Sequence, residues 1–468
     1  MRVGPASTNL MWSILHFLPL LGFLLALVLL VHLAREQRSP SGTIAWLLAI
    51  VLIPYVGVPL YLMLGGRKFR RMARRKAELP TEAGTAHQNE GGKGEQLPTV
   101  LDGIFAPREG NQITLLPTGE DAFRTTMDSI EAAKESICIT TFVLGNDSTG
   151  RAIVQALARK ARDGVRVYLL LDALGSRSAP KHPLSEFRAA GGKCAFFMPM
   201  LHLPFRGRAN LRNHRKMALF DWTTGIIGGM NLAYEYMGPT TEAQRWHDLS
   251  LALSGPVVAD LYCLFRSDWA FAAKEEPDLP EQPASGEGPG DVRLQLLPSG
   301  PDVAGDSLYD EIVASIAAAQ KRVWIVTPYF IPDEVLQRVL CISARRGVDV
   351  RVVVPAASNH RLADMVRRGY LRQVQDDGGT VWLFKPGMLH AKVFVIDDSL
   401  GIVGSMNMDM RSLFLNYEIA LLVRSEPVVA ELAAWVSGIM EDSEVGVKST
   451  SVPVEFAEDV AKLLAPLL

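Results

Sequence analysis

Two short stretches of the chain carry the same reactive residue types at the same spacing. Residues 213–231 read NHRKMALFDWTTGIIGGMN, and residues 389–407 read LHAKVFVIDDSLGIVGSMN. His214, Lys216, Asp221, Gly228 and Asn231 of the first occupy the places of His390, Lys392, Asp397, Gly404 and Asn407 of the second. One H-x-K triplet arises readily by chance; the longer pattern met twice does not. Each stretch reads as a hairpin: an apolar strand, a polar turn, and a second apolar strand closing on glycine. On a strand, residues i and i+2 share a face, so each His projects together with its Lys. Turns centred between Trp222 and Thr223, and between Asp398 and Ser399, would set His214 opposite Asn231 and His390 opposite Asn407. Asp221 and Asp397 open the turns. Their odd spacing from the His suits bracing the turn, or binding a neighbour, better than touching the same substrate atom.

One such face is half a site. Two faces in one cleft supply one imidazole as nucleophile and a second as proton donor. Two ammonium groups and two amides then offer fixed donors to an anion of spread charge such as phosphate. No second His stands beside either motif and no carboxylate cluster suits magnesium, so phosphodiester chemistry without a metal or cofactor is expected.

The elements that must position these residues also come in duplicate. Two segments open alike, ITLLPTGEDAF and LQLLPSGPDVA. Each continues with an amphipathic helix pattern, a strand (SICITTFVL and RVWIVTPYF), another helix, and a strand after a glycine (GVRVYLLLD and GVDVRVVVP). Alternating β and α elements predict an α/β fold of two homologous domains, each a mixed sheet flanked by helices, related by a pseudo-twofold. Polar, Gly/Glu/Pro-rich stretches mark linkers at 77–112 and 274–291, which gives domains at 113–273 and 292–445 and a tail at 446–468 with an amphipathic helix.

Ahead of these lies a different composition. Residues 10–33 and 43–66 hold no Asp, Glu, Lys or Arg, and each run exceeds the roughly 20 apolar residues that cross a bilayer. They predict a two-helix membrane hairpin within residues 1–76. The stretch RKFRRMARRK (67–76) follows the second run, whereas the short connector holds only Arg35, Glu36 and Arg38. The positive-inside rule therefore places the catalytic domains in the cytoplasm, on a multi-pass protein of the inner membrane. The basic cluster would also lie against anionic headgroups. Arg206, Arg208, Arg212 and Arg215 crowd the approach to the first motif, as headgroup ligands or as a solvated basic loop.

Composition limits the partners. With 48 basic and 50 acidic residues the net charge is −2, so no global field favours nucleic acid. Cys138, Cys194, Cys263 and Cys341 are widely spaced, as reduced thiols rather than a disulfide framework or a zinc site would be.

The doubled H-x-K-x4-D pattern, each copy followed by G-[GS]-x-N, resembles the phospholipase D superfamily. Within it, TIAWLLAIVLIPYVGVPLYLMLGGRK, NHRKMALFD, GGMNLAYEY, RWHDLSLALSGP, MLHAKVFVID and GSMNMDMRSLFLNYE make the chain similar to the bacterial cardiolipin synthases. The resemblance implies that His214, Lys216, Asp221, His390, Lys392 and Asp397 form the active site, with His214 as nucleophile and His390 as general acid. It also implies an acid downstream of each motif to hold the imidazole. The matching positions are Asp248 and Glu418, with Asp248 assigned to His214; a strand-end salt bridge is the purely structural alternative. Ser405, where the first copy has Gly229, offers phosphate a hydroxyl from one half only, beside Asn231 and Asn407.

The implied reaction joins two phosphatidylglycerols into cardiolipin and glycerol through a phosphohistidine. The partners are phosphatidylglycerol and other membrane lipids, and the oligomeric state stays open. The alternatives are a phospholipase D-type hydrolase, another head-group exchange such as phosphatidylserine synthesis, and, from a different class, a dead lipid- or nucleic-acid-binding protein.

Overall fold

The computed structural model describes residues 47, 50, 105–198, 211–279, 288–303, 305–448 and 451–462. Apart from residues 47 and 50, the expected membrane hairpin, the basic cluster at 67–76 and Arg206 and Arg208 lie outside the described residues. Among the described residues no helix is long and apolar enough to cross a membrane. The chain divides into two units, residues 1–72 with 201–210, and residues 73–200 with 211–468. The second carries every strand and helix named below.

In the first half the strands are β1 (Arg108–Leu116), β2 (Ser136–Thr141), β3 (Arg166–Asp172), β4 (Lys193–Phe197), β5 (Met217–Phe220), β6 (Thr224–Gly228) and β7 (Ser250–Ser254). The second half contributes β8 (Val292–Ser299), β9 (Arg322–Val326), β10 (Phe330–Ile331), β11 (Asp349–Pro355), β12 (Thr380–Phe384) and β13 (Val393–Ile396). It continues with β14 (Leu400–Gly404), β15 (Met408–Asp409), β16 (Glu418–Arg424) and β17 (Ser443–Val445). Helices α1 (Gly119–Ala132), α2 (Ser148–Arg162), α3 (Lys181–Ala189) and α4 (Val257–Ala273) belong to the first half. Their successors are α5 (Ser307–Ala318), α6 (Glu334–Arg345), α7 (Arg361–Asp376), α8 (Met410–Phe414), α9 (Glu426–Glu441) and α10 (Val452–Lys462).

The crossover helices form where the sequence caps and stripes them. Asp147 accepts the Gly150 N–H at the start of α2, and Asp333 accepts the Leu336 N–H at the start of α6. Ile153, Val154 and Leu157 of α2 bury against Ile137, Ile139 and Leu169 of the sheet. Leu336 and Leu340 of α6 do the same against Ile325, Val350 and Val352. These crossovers make β2–β3 and β9–β11 parallel, and the hairpins make their neighbours antiparallel.

The two sheets are one. Among the described residues fifteen strands run β17-β12-β11-β9-β13-β14-β16-β8-β1-β7-β6-β5-β2-β3-β4. Outward from the central β1–β8 pair the two halves repeat the same order, with β17 added at one edge, as a pseudo-twofold requires. A separate sheet per half would have left β1 and β8 as bare edges; pairing them antiparallel satisfies both. Polar composition at 108–112 reads as linker, but pairing recruits these residues into β1.

Candidate active site

The catalytic hairpins differ from the expected register by one residue. Met217 pairs with Ile227 and Val393 with Val403, which centres the turns on Trp222 and Asp398. The cause is a three-residue turn in each copy, closed by Phe220 with Thr224 and Ile396 with Leu400. Asp221 and Asp397 take left-handed φ angles of 48° and 49° there, and an Asp can stabilise that conformation through its own side chain. The Asp221 carboxylate accepts the backbone N–H groups of Lys134, Glu135 and Ser136 at 2.7–2.9 Å. Asp397 accepts those of Gln320, Lys321 and Arg322. Both therefore pin the turn to the end of the preceding helix–strand connection. They do not join the catalytic cluster, which corrects their inclusion in it.

His214 and Lys216 come just before β5, and His390 and Lys392 just before β13, in extended segments that cross to the other half. The His214 N–H donates to the Tyr417 carbonyl at 2.9 Å, and the Tyr417 N–H to the Arg212 carbonyl at 2.9 Å. The His390 N–H donates to His247 at 2.7 Å, and His247 to Met388 at 2.8 Å. Two short parallel bridges result, Asn213 with Tyr417 and Leu389 with His247. The residues after Tyr417 and His247 are Glu418 and Asp248.

This crossing decides the acid partners. His214 Nδ1 lies 3.0 Å from Glu418 Oε1, and His390 Nδ1 lies 2.7 Å from Asp248 Oδ2. Each imidazole is thus held by the acid of the opposite half, and the assignment of Asp248 to His214 is corrected. Glu418 is further gripped by the Ser405 hydroxyl at 2.5 Å and the Asn416 amide at 3.4 Å. Ser405 has one proton and gives it to Glu418, so it orients His214 instead of meeting phosphate. Asp248 takes the Leu249 N–H at 2.7 Å. A Cβ at Gly229, the counterpart of Ser405, would strike the Asp248 carboxylate, so this side of the site admits only glycine.

The asparagines expected as amide donors, Asn231 and Asn407, are both buried. Asn231 Oδ1 accepts the Val143 N–H at 3.1 Å.

The ammonium groups are turned in. Lys216 Nζ donates to the His214 carbonyl at 2.7 Å and sits over the Phe142 ring; Lys392 donates to the His390 carbonyl and lies against the His390 ring. All six reactive side chains are buried. Burial pushes Lys216 down to about 7 and Lys392 down to about 8. Burial and the Lys392 charge push His390 down to about 3. Burial also lowers His214, against the opposing pull of Glu418. Burial raises Asp248 and Glu418, but Lys392, His390 and the Leu249 N–H together outweigh it at Asp248, as His214, Lys216 and Ser405 do at Glu418, and both end below the usual carboxylate range. The halves form one electrostatic site, since Lys392 acts on His214 and Lys216 on His390.

Residues 126–269 and 312–440 match the family described as "Cardiolipin synthase, PLD-like domain", and residues 24–66 match "Phospholipase_D-nuclease N-terminal". Cardiolipin synthase A of Pseudomonas putida strain W619 is 32% identical over 467 residues, covering 95% of this chain and 96% of that protein. The chain belongs to the cardiolipin synthase family of phospholipase D-like proteins. Cardiolipin synthase A of Pseudomonas fluorescens strain Pf-5 is also 32% identical, over 488 residues and 99% of both chains. Phosphatidylserine synthase of Haemophilus influenzae Rd KW20 shares the fold at a TM-score of 0.61 and 17% identity, covering 76% of this chain and 95% of that one.

Against that family pattern, the first-copy Arg215 stands out, because the second copy has Ala391 in its place. It is neither a headgroup ligand nor a solvated charge. Its guanidinium donates to Asp268 at 2.6 Å, to Asp302 at 3.4 Å, and to the Glu418 and Ser299 carbonyls at 3.2 and 3.1 Å. Asp268 belongs to the first half and the other three to the second. Arg215 therefore locks the halves together beside the His214–Glu418 pair. Arg212 is likewise buried, donating to the Met198 carbonyl. Sequence reasoning also missed the rings that shape the site: Phe142 lies edge-on to His214, while Tyr236 and Trp246 pack on His390. No spacing signal marks these: Phe142 follows β2, and Tyr236 and Trp246 share the β6–β7 connection, far in sequence from the imidazole they meet.

Proposed function

We propose that the chain is a membrane-bound phosphatidyltransferase that makes cardiolipin and glycerol from two phosphatidylglycerols. The observation that carries this reading is the pair of buried imidazoles, each with an acid on Nδ1 and both within the field of two lysines. A carboxylate on Nδ1 keeps the proton there and leaves Nε2 as the reactive nitrogen. His214 Nε2 attacks phosphorus, the bond from phosphorus to the headgroup oxygen breaks, and His390 gives the leaving glycerol a proton. A hydroxyl of the second phosphatidylglycerol then returns a proton to His390 as its oxygen displaces His214. Lys216 and Lys392 stabilise the non-bridging oxygens. Burial and the Lys392 charge keep His390 neutral before substrate binds; the negative charge of a bound phosphate raises its proton affinity, so substrate binding and loading of the general acid go together.

Full-length relatives named cardiolipin synthase A support this substrate choice, and the match at 24–66 with the two uncharged runs supports anchoring in the inner membrane. The basic stretch after the second run favours the cytoplasmic side for the catalytic domains. The test is mass spectrometry of products after incubating the purified full chain with phosphatidylglycerol in mixed micelles. Cardiolipin and glycerol in equal amounts are expected; phosphatidic acid as the only lipid product would make the chain a hydrolase.

A further inference from the structure

The two motifs have unlike neighbours. His214 and Lys216 stand among Arg212, Asn213 and Arg215, whereas His390 and Lys392 stand among Met388, Leu389 and Ala391. The three polar neighbours of the first motif are buried. Beside them, at the end of β3, Asp172 is only 1% exposed. Its Oδ2 accepts the Asn213 N–H at 3.0 Å, which fixes the residue immediately before His214. Its Oδ1 accepts the N–H groups of Leu174 and Gly175 at 2.8 and 3.0 Å. That turn carries Ser176, whose hydroxyl donates to the Phe142 carbonyl at 2.9 Å and accepts the Leu144 N–H at 3.0 Å. Phe142 is the ring that lies edge-on to His214, with Lys216 Nζ 5.8 Å from its centroid. One carboxylate thus grips both the segment that carries the imidazole and the turn that sets the ring against it.

In the second half Pro355 holds the place of Asp172: Asp172 pairs with Phe197 of β4, and Pro355 with Phe384 of β12. A proline side chain offers no acceptor. A buried carboxylate is costly unless its oxygens are satisfied, and here three backbone donors and the Arg212 guanidinium at 3.7 Å offset that cost. The geometry points to Asp172 as a positioning residue of the nucleophilic half, which holds the His214 segment and Phe142 together and adds a negative charge to the field at Lys216; this rests on the reaction proposed above. Burial lowers Lys216; Glu418, Asp248 and Asp172 oppose the fall, and Lys392 adds to it. Burial raises Asp172 itself, against its N–H donors and Arg212, and Arg411 of α8 also feels its charge.

The experiment follows glycerol release from phosphatidylglycerol in micelles by the full-length enzyme, over the neutral and alkaline range. Transfer and hydrolysis both release glycerol, so a wrong product assignment leaves the readout intact. Asp172→Asn should lower kcat per folded molecule about 10- to 100-fold with KM little changed, the worth of one hydrogen bond to a charged group made in the transition state. It should also move the alkaline limb of kcat/KM to lower pH, because Lys216 loses a charge that favours its protonated form. A merely structural role would leave that limb in place. The limb does not depend on how much of a variant folds, and Asp172→Ser, smaller and also uncharged, should shift it likewise. A limb at its wild-type position in these variants overturns the proposal, as does a kcat per folded molecule equal to wild type. Phosphatidyl label found on His390 instead of His214 would end the assignment of roles above, and the pH limb would still judge Asp172.

Discussion

His214 Nδ1 sits 3.0 Å from the carboxylate of Glu418, a residue of the opposite half, 204 positions further along the chain. The reciprocal contact, His390 with Asp248, spans 142 positions. Neither half therefore contains a complete imidazole–acid pair. The duplicated domain is catalytic only as a pair, and any motion that parts the halves also releases both imidazoles from their acids.

Crossed pairing makes the two acids separable by step. In a His390→Ala background, where the covalent intermediate should accumulate, mass-tagged phosphatidyl is expected on His214 after an acid-free quench. Adding Glu418→Gln should remove the label, because His214 loses the partner that fixes its tautomer; losing the acid of a Ser-His-Asp triad costs about 10⁴-fold. Adding Asp248→Asn should leave the label in place. The opposite pattern would restore the chain-order pairing, and label on His390 in the converse variant would exchange the two roles.

Activity and stability should run in opposite directions with pH. Lys216 and Lys392 titrate at about 7 and about 8 in the fold, below the usual value near 10.4, because burial disfavours their charge. Between these folded values and the unfolded one, the unfolded chain binds more protons, so unfolding free energy rises with pH. The same rise strips the site of the charges that meet phosphate. We expect kcat/KM to fall from pH 7 to 9 while Tm, corrected for other titrations with a Lys216→Met/Lys392→Met control, climbs. A Tm contribution of the opposite sign would show that the lysines are not held at depressed values.

Asp221 is a stability residue. Asp221→Ala leaves three backbone N–H groups without their acceptor and an alanine at a φ of 48° with nothing to hold it there. A loss of about 1–3 kcal/mol is expected in urea unfolding. Turnover per folded molecule should stay within about twofold, whereas a drop comparable with that of Lys216→Ala would return Asp221 to the catalytic cluster.

Arg215→Met should be among the most damaging single changes outside the cleft. It removes the charge faced by Asp268 and Asp302, and breaking a buried pair costs about 3–5 kcal/mol. Arg215→Lys should recover little of it, since an ammonium cannot span four acceptors in two halves. A urea midpoint for Arg215→Lys equal to that of wild type would count against the clamp.

The chain by itself determined the residue types and their doubling. The repeat of His214, Lys216 and Asn231 as His390, Lys392 and Asn407 is local, and periodicity marks the β and α elements around each copy, because strand and helix preferences act over a few residues. Even the bracing role of Asp221 and Asp397 could be read from their odd spacing. What only the tertiary structure decided lies across the β1–β8 junction. Asp248 and Glu418 are each the right acid at the right place in the repeat, yet the segments ahead of them pair with the other half's motif, so each serves the other half's histidine. No spacing encodes that exchange. The hairpin register slipped for a smaller reason of the same kind: a three-residue turn is selected by the bonds Asp221 and Asp397 make to distant backbone. Ser405 and Arg215 changed roles because burial assigned their protons to Glu418, Asp268 and Asp302, partners that only meet once the two halves close on one another.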